Sequence, residues 1–536
     1  MGTTRISSSC GVQQGDPLGP LLFALALHKV SHSGSADLTV WYLDDGTIGG
    51  PAERVAAEAK RIKEAAATIG LQLNERKCEA VSSDSTFAAA IRTILPDCSA
   101  IDPAECELLG AAVGASAVAT SLAKRTSNFR DCAQRLASVD RHDALALLRV
   151  SLGHPRANYE LRADASFRDP EALAAYDASL RDTAELALNI RLNDRAWLQC
   201  TLPPLLGGIG IRAPSDLALS AFIASSEFTG ALASQICHGA ADSILADART
   251  AWSELTGTDE PTSSSASTRS WQRPLDAIRR ERLISSLETP RDIARLHSTS
   301  TPESAALLLG LPCSREGTRL TDIELSATIS LRLGLPVAAP GICECRQPLD
   351  ALGDHALSCN HGVERHRRHD ELNSRIRDIL AKLASRLCLS RWGSLRATLA
   401  ASTASRSRRS SGDGRWPGTR QSLTPAPRAI CTPLLSPPVP PPLRPRPARP
   451  PSTPTWASAT TSAQSASRPW EPSGPRPWSW LKALATRLQA QSGDRGTRAR
   501  IFRRLGAAVQ AGNARRIIEA HAHSASGVLP RETEIF

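Results

Sequence analysis

The chain carries a single methionine, Met1, in 536 residues, and only 4% of it is aromatic, with three tyrosines and eight phenylalanines. No run reaches the ~18 consecutive apolar residues of a transmembrane helix, so no membrane span is expected. No collagen or heptad period is visible, which excludes a fibrous rod. The 13 cysteines are odd in number and follow no regular spacing. A disulfide framework is therefore not expected, and reduced thiols of the cytosol or nucleus are. Arg5, the run Leu21–Leu27 and the Ser-Gly-Ser-Ala at 33–36 imitate a secretory leader. Gln13, Gln14, Asp16 and two prolines interrupt its would-be apolar region. What is abundant is Ala, Arg, Pro and Gly, residues with GC-rich codons, and a 41% hydrophobic content that can build sizeable cores.

The formal net charge of +11 suggests a nucleic-acid partner until it is divided by region. Residues 1–400 hold 43 Lys+Arg against 47 Asp+Glu, a net of −4, whereas residues 401–536 hold 21 against 6, a net of +15. The excess lies in a tail in which 18 of the 37 prolines fall between 417 and 477, with no Asp or Glu between Arg415 and Trp470. Such a stretch cannot pack a core.

The length suggests roughly two to four domains. Residues 1–115 read as mixed α and β, with Asp16-Pro17 as the cap and first residue of a helix over Leu18–Lys29. Leu38–Leu43 reads as a strand, Asp45-Gly46 as a turn before Thr47–Gly49, Leu71–Leu73 as a short strand and Glu107–Val113 as another. Val55, Ala59, Ile62, Ala66 and Ile69 have helical spacing, closed by Gly70. Residues 116–240 read as helical, most clearly over Leu173–Ile190 and Leu217–Cys237, with a glycine-rich loop and short extended segment at 207–211. Residues 241–340 contain a Ser/Thr-rich linker at 258–269 and further helix; 341–388 is a Cys/His segment with a following helix; 389–477 is expected to be disordered; 478–536 reads as two helices around Gly493-Asp494.

Tyr42-Leu43-Asp44-Asp45 places two adjacent carboxylates at the end of an apolar strand. Hard divalent cations prefer such oxygens, and two-metal phosphoryl transfer needs a carboxylate cluster that holds ions about 3.5–4 Å apart. On its own, Asp-Asp-Gly is simply a good β-turn. Further along, Cys343-x-Cys345-x₉-His355-x₃-Cys359 gathers three sulfurs and an imidazole suited to tetrahedral zinc, with His361, His366 and His369 as alternative ligands. The Arg365–Arg368 cluster after it could contact phosphate.

Four blocks, in this order and at these separations, resemble the palm of reverse transcriptases, in particular those of non-LTR retrotransposons. They are Gly11–Phe23, Tyr42–Asp45, Gly70–Cys78 and Leu108–Gly110, and with the helices that follow the likeness runs from about residue 8 to 240. The implied fold is α+β: a partial palm, a helical thumb, a zinc-knuckle-like segment and the disordered Pro/Ser/Arg-rich region. The resemblance implies that Asp44 and Asp45 hold catalytic Mg²⁺, Asp44 being the principal ligand. It implies nucleotide and template contacts for Gln14, Gly15, Tyr42 and Lys77, and a primer grip at Leu109 and Gly110. The Cys343, Cys345, His355, Cys359 set resembles the Cys-Cys-His-Cys knuckle of retrotransposons that carry a restriction-like endonuclease. The implied partners are an RNA template and a DNA primer or target.

In the family a third carboxylate and basic fingers precede the first block, and this sequence begins a dozen residues before it. The expectation is an N-terminally truncated palm with little or no polymerase activity alone. The acid-free stretch stands where the nuclease belongs, which points to a frameshift or a faulty gene model, with a real basic linker as the alternative. A protein that binds nucleic acid through knuckle and thumb without catalysis, and a decayed transposon relic, are the competing readings. The sequence gives no oligomeric state.

Overall fold

The computed structural model of the chain describes residues 11–13, 15–32, 34, 36–236, 242–261, 267–361, 366–378, 381 and 477–522. The chain divides into two units, Met1–Arg368 with Phe502–Phe536, and His369–Ile501. The described residues are α+β, mostly helical, with four two-stranded sheets. The expected disordered region at 389–477 lies outside the described residues, apart from Pro477 at the start of a helix.

The N-terminal segment runs α1 (Gly19–Ser31), β1 (Leu38–Tyr42), β2 (Asp45–Gly49) and α2 (Ala52–Thr68), followed by a 3-10 turn at Glu75–Lys77. Then come β3 (Glu79–Val81), α3 (Ser85–Ile94), β4 (Ser99–Ile101), β5 (Glu107–Leu108) and β6 (Ala111–Ala112). β1–β2 and β5–β6 are antiparallel hairpins, and β3–β4 is a parallel pair joined through α3. Parallel strands need such a crossover. The helical spacing read along α2 is met: Val55, Ala59, Ile62 and Ala66 are buried, and Gly70 leaves the helix at φ +79°. Glu58, fully buried, pairs with Arg61, whose Nη2 donates to Val30 O at 2.7 Å and ties α2 to α1.

Three expectations change here. Asp16 does not cap α1; its Oδ1 accepts from Leu18 N–H at 2.9 Å, closing a turn before the helix, and Pro20 rather than Pro17 lies in the first turn. Leu71–Leu73 is not a strand: no strand pairs with it, and Leu71 and Leu73 pack into the core between α1 and α2. Glu107–Val113 is a hairpin rather than one strand.

The helical body comprises α4 (Ala115–Leu136), α5 (Arg141–Leu147), α6 (His154–Ala163), α7 (Pro170–Leu188), α8 (Asp194–Thr201), α9 (Pro214–Ile236) and α10 (Asp242–Thr256). It continues with α11 (Thr268–Ser285), α12 (Pro290–Thr299), α13 (Pro302–Ala305) and α14 (Asp322–Leu333). Asp169, Asn193, Thr289 and Thr301 cap their helices through side-chain oxygens, and Thr321 forms a capping box with Glu324. The main core holds Leu122, Phe129, Leu148, Tyr176, Leu180 and Ile329. Phe129 and Tyr176 stack with centroids 5.3 Å apart. A second core is built on Trp252 and Trp271, edge to face at 4.8 Å, with Ile223 of α9. The 207–211 segment is interior rather than a surface loop. Ile209 and Ile211 are fully buried, and Arg332 crosses it to donate to Gly208 O at 2.9 Å and Pro204 O at 2.7 Å.

One described helix, over Pro214–Gln235, is long and apolar enough to span a membrane by length and composition. Its N-terminal part packs into both cores, while Phe228 and Leu232 are exposed.

After α14 come β7 (Gly341–Ile342), β8 (Pro348–Leu349), α15 (Asp354–Ser358) and a helix over 366–378. The rest of the helix expected to reach Cys388 lies outside the described residues, apart from Ala381, which is helical. The last helices are α16 (Pro477–Ser492) and α17 (Thr497–Ala522). They flank the expected turn, where Asp494 pairs with Arg500. Ala507 and Ala511 of α17 belong to the main core of the body.

Burial in the body displaces several titrations. The carboxyl groups of Asp164 and Asp177 are pushed up to about 7, and the imidazoles of His142 and His154 down to about 4, all mainly by desolvation. A carboxyl whose pKa is raised on folding holds its proton more firmly in the folded state. Its contribution to stability is full below the unfolded value and is lost as pH rises through about 7. Asp177→Asn should therefore gain stability over the parent on the order of 1 kcal/mol at pH 8, with the difference shrinking towards pH 4. Urea unfolding at a series of pH values measures this, and a difference independent of pH would contradict it.

Candidate functional site

The Asp44–Asp45 pair stands at the tip of the β1–β2 hairpin. The register pairs Tyr42 with Asp45 and Trp41 with Gly46, leaving Leu43 and Asp44 as a two-residue turn. The turn expected at Asp45-Gly46 is thus placed two residues too late. Gly46 is a strand residue over which the Trp41 ring lies; a Cβ there would come within 2.8 Å of Trp41 Cη2. Leu43 takes the left-handed conformation the turn requires, at φ +56°, which costs a branched residue roughly 1–2 kcal/mol. Tyr42 is 60% exposed, and Asp44 and Asp45 are both exposed to solvent. Two adjacent carboxylates on a rigid tip suit Mg²⁺, which takes one or two carboxylates and completes its shell with water and phosphate oxygens. Among the described residues, no third acidic, His or Cys side chain gathers with them into a ligand cluster.

The other sequence-predicted residues are dispersed. Gln14 lies outside the described residues. Gly15 is exposed at φ +92° with open space where a Cβ would sit, so its backbone conformation alone favours glycine. Lys77 is exposed at the end of its 3-10 turn. Leu109 and Gly110, at φ +51° and +80°, form the two-residue turn of the β5–β6 hairpin, and positive φ at both positions is the signature of type I′. No hydrogen bond or ion pair among the described residues joins Gly15, Lys77 or this turn to the Asp44–Asp45 tip.

The Leu109–Gly110 turn is instead braced from the helical body. Tyr159 Oη of α6 donates to Leu109 O at 2.9 Å, and Arg125 Nη2 of α4 donates to Gly110 O at 3.0 Å. Arg125 is held in turn by the fully buried Glu160. Sequence reasoning missed these three residues. They lie up to 50 positions away and carry no local signal.

The Cys/His segment comes together as a compact ligand set. The β7–β8 hairpin presents Cys343 and Cys345 in its connection, where Arg346 takes φ +65° and donates its N–H to Cys343 O at 2.7 Å. α15 presents His355, and Cys359 follows it. Asp350 fixes the start of that helix by accepting from Asp354 N–H at 3.0 Å and His355 N–H at 2.7 Å. The four ligand atoms lie within 4.8 Å of one another. Cys343 Sγ and Cys359 Sγ are 3.8 Å apart, and Cys345 Sγ is 3.2 Å from His355 Nε2. Tetrahedral zinc with bonds of about 2.3 Å to sulfur separates two sulfurs by roughly 3.8 Å, so the set fits the ion. His361, His366 and His369 are not in the cluster. His361 contributes its backbone N–H, which donates to Cys359 Sγ at 3.4 Å. A backbone hydrogen bond at Gln347 holds the Cys345 thiol below its ordinary value, whereas burial pushes that of Cys359 up.

Residues 2–113 match the family model described as Reverse transcriptase (RNA-dependent DNA polymerase), so this segment carries reverse-transcriptase sequence. No curated protein matches the chain.

The full chain is expected to retain one equivalent of Zn²⁺ through dialysis. Cys343→Ser and Cys359→Ser should each lower its affinity by at least about tenfold in competition with a chromogenic chelator. A parent chain that emerges metal-free would contradict the assignment.

Proposed function

We propose that the chain carries the metal-holding part of the palm of an RNA-directed DNA polymerase from a non-LTR retrotransposon, with a helical thumb and a zinc knuckle downstream. The observation that carries this reading is the rigid tip bearing Asp44 and Asp45 inside the segment matched by the reverse-transcriptase family. Asp44 and Asp45 would hold Mg²⁺, and Gln14, Gly15, Tyr42 and Lys77 would face the template and incoming nucleotide. Leu109 and Gly110 would grip the primer end. Bound Mg²⁺ would supply a Lewis acid that neutralises charge on the phosphates. The residues of the chain orient the reactants: the hairpin fixes the two carboxylates, and Arg125 and Tyr159 fix the primer loop. The partners under this reading are an RNA template and a DNA primer or target.

With two carboxylates gathered at the tip, polymerisation by this chain alone is slow. The contrast between that half-built cluster and the complete Cys/His set favours a second reading, in which the chain binds nucleic acid without catalysis.

An RNA-templated primer-extension assay in Mg²⁺ tests the choice. The expected result is a low level of extension that Asp44→Ala/Asp45→Ala abolishes while binding to an RNA–DNA duplex stays within about twofold. Extension equal in parent and variant would sink the polymerase reading. Binding that survives it but falls at least about tenfold in Cys359→Ser would establish the second.

A further inference from the structure

Arg516 of α17 is a buried cation, 7% exposed, whose partners among the described residues are all backbone carbonyls. Its Nε donates to Ala356 O at 3.0 Å, and its Nη2 donates to Cys359 O at 3.4 Å and His361 O at 2.6 Å. No carboxylate among the described residues pairs with it. Its neighbour Arg515 has one, Glu324 at 3.2 Å. Carbonyl dipoles satisfy the donors of a guanidinium but carry no net charge, and a buried charge without a counter-charge is costly.

The missing counter-charge has a source in the loop that Arg516 grips. Around a divalent ion, three cysteine thiolates and a neutral imidazole make a centre of net charge −1. On binding, the three thiols release three protons and each sulfur bonds the metal. We propose that Arg516 is the counter-ion and positioning residue of the Cys343, Cys345, His355, Cys359 metal centre, and that metal binding and the seating of α17 on the knuckle are therefore coupled. The proposal rests on the reading of that cluster as a metal site.

Two further contacts place α17 on the knuckle independently of Arg516. Ile517 is buried in the same small core as Val337, Cys343, Leu349, Ala356 and Cys359. Gly353, the left-handed residue before α15 at φ +75°, leaves room for it, since a Cβ there would lie 2.8 Å from Ile517 Cδ1. The first turn of the helix that carries His355 is thus shaped to receive α17. Coupling between two such events is reciprocal: whatever α17 adds to metal affinity, the metal adds to the docking of α17.

The test uses the full chain. Zn²⁺ and Co²⁺ affinities are measured by chelator competition for the parent, Arg516→Met, Arg516→Lys and the control Arg500→Met. Amide hydrogen exchange over 505–522 is followed with and without Zn²⁺. The expected result is a loss of at least about tenfold in affinity for Arg516→Met, partial rescue by Arg516→Lys, no change for Arg500→Met, and slower exchange over 505–522 with Zn²⁺ bound. The thiolate absorption of the Co²⁺ form should persist in Arg516→Met, showing that the ligands are unchanged. Should Arg516→Met fail to fold, the Arg516→Lys affinity and the parent's exchange data carry the test. A parent that binds no metal would overturn the metal-site reading and this inference with it. A parent that binds Zn²⁺ while both Arg516 variants match its affinity, or whose exchange over 505–522 ignores the metal, would overturn this inference alone.

Discussion

An arginine buried among backbone carbonyls is the constraint on which the helical body depends. Arg332 of α14 donates to Gly208 O, Pro204 O and Thr299 O, so one side chain fixes the interior 204–208 segment and the end of α12 relative to α14. Burial lowers its pKa to about 9, and it remains a cation at neutral pH. Pro204 O also accepts from Gly207 N–H at 3.2 Å and Thr299 O from the Ser304 hydroxyl at 2.7 Å, so the guanidinium ties together chain that already forms local bonds. The price of placing a charge there is offset only if all these acceptors are held together, so the guanidinium enforces one arrangement of α8, α12 and α14. Arg516 repeats the device at the Cys/His segment, donating to Ala356 O, Cys359 O and His361 O.

Much of this fold is legible in the sequence because helices announce themselves. The spacing along α2, the apolar run of α7 and α9 and the Gly493-Asp494 turn all lie where periodicity and breakers put them. The β structure is legible less well, for a physical reason visible at the hairpin. Asp45-Gly46 has the composition of a turn, yet Gly46 is small because Trp41 lies across it, and the left-handed turn position is taken by Leu43. Propensity favours a glycine or asparagine there, and tertiary packing overrides it. The strands β3 and β4, three residues each, are too short for alternation to be seen.

The candidate site divides along the same line. The four residues of the Cys/His cluster were legible because their spacing is local. His355 stood in that pattern from the start, and the geometry of α15 places it in the cluster while His361, His366 and His369 stay out. The supports were not legible: Arg125 and Tyr159 behind the Leu109–Gly110 turn, and Arg516 behind Cys359, act across separations of 15, 50 and 157 positions. The charge that first pointed to nucleic acid belongs to residues 401–536, far in sequence from the segment that matches the reverse-transcriptase family. The nucleic-acid reading now rests on the hairpin, its family match and the knuckle.

Iron-mediated backbone cleavage tests the central claim most directly, because it reads metal at the hairpin whether or not the chain polymerises. Fe²⁺ bound in place of Mg²⁺, with ascorbate and peroxide, cuts the backbone near its ligands. The account predicts cuts around residues 42–46 that excess Mg²⁺ suppresses and Asp44→Asn/Asp45→Asn removes. Cleavage confined to other positions, or unchanged in that variant, would contradict it.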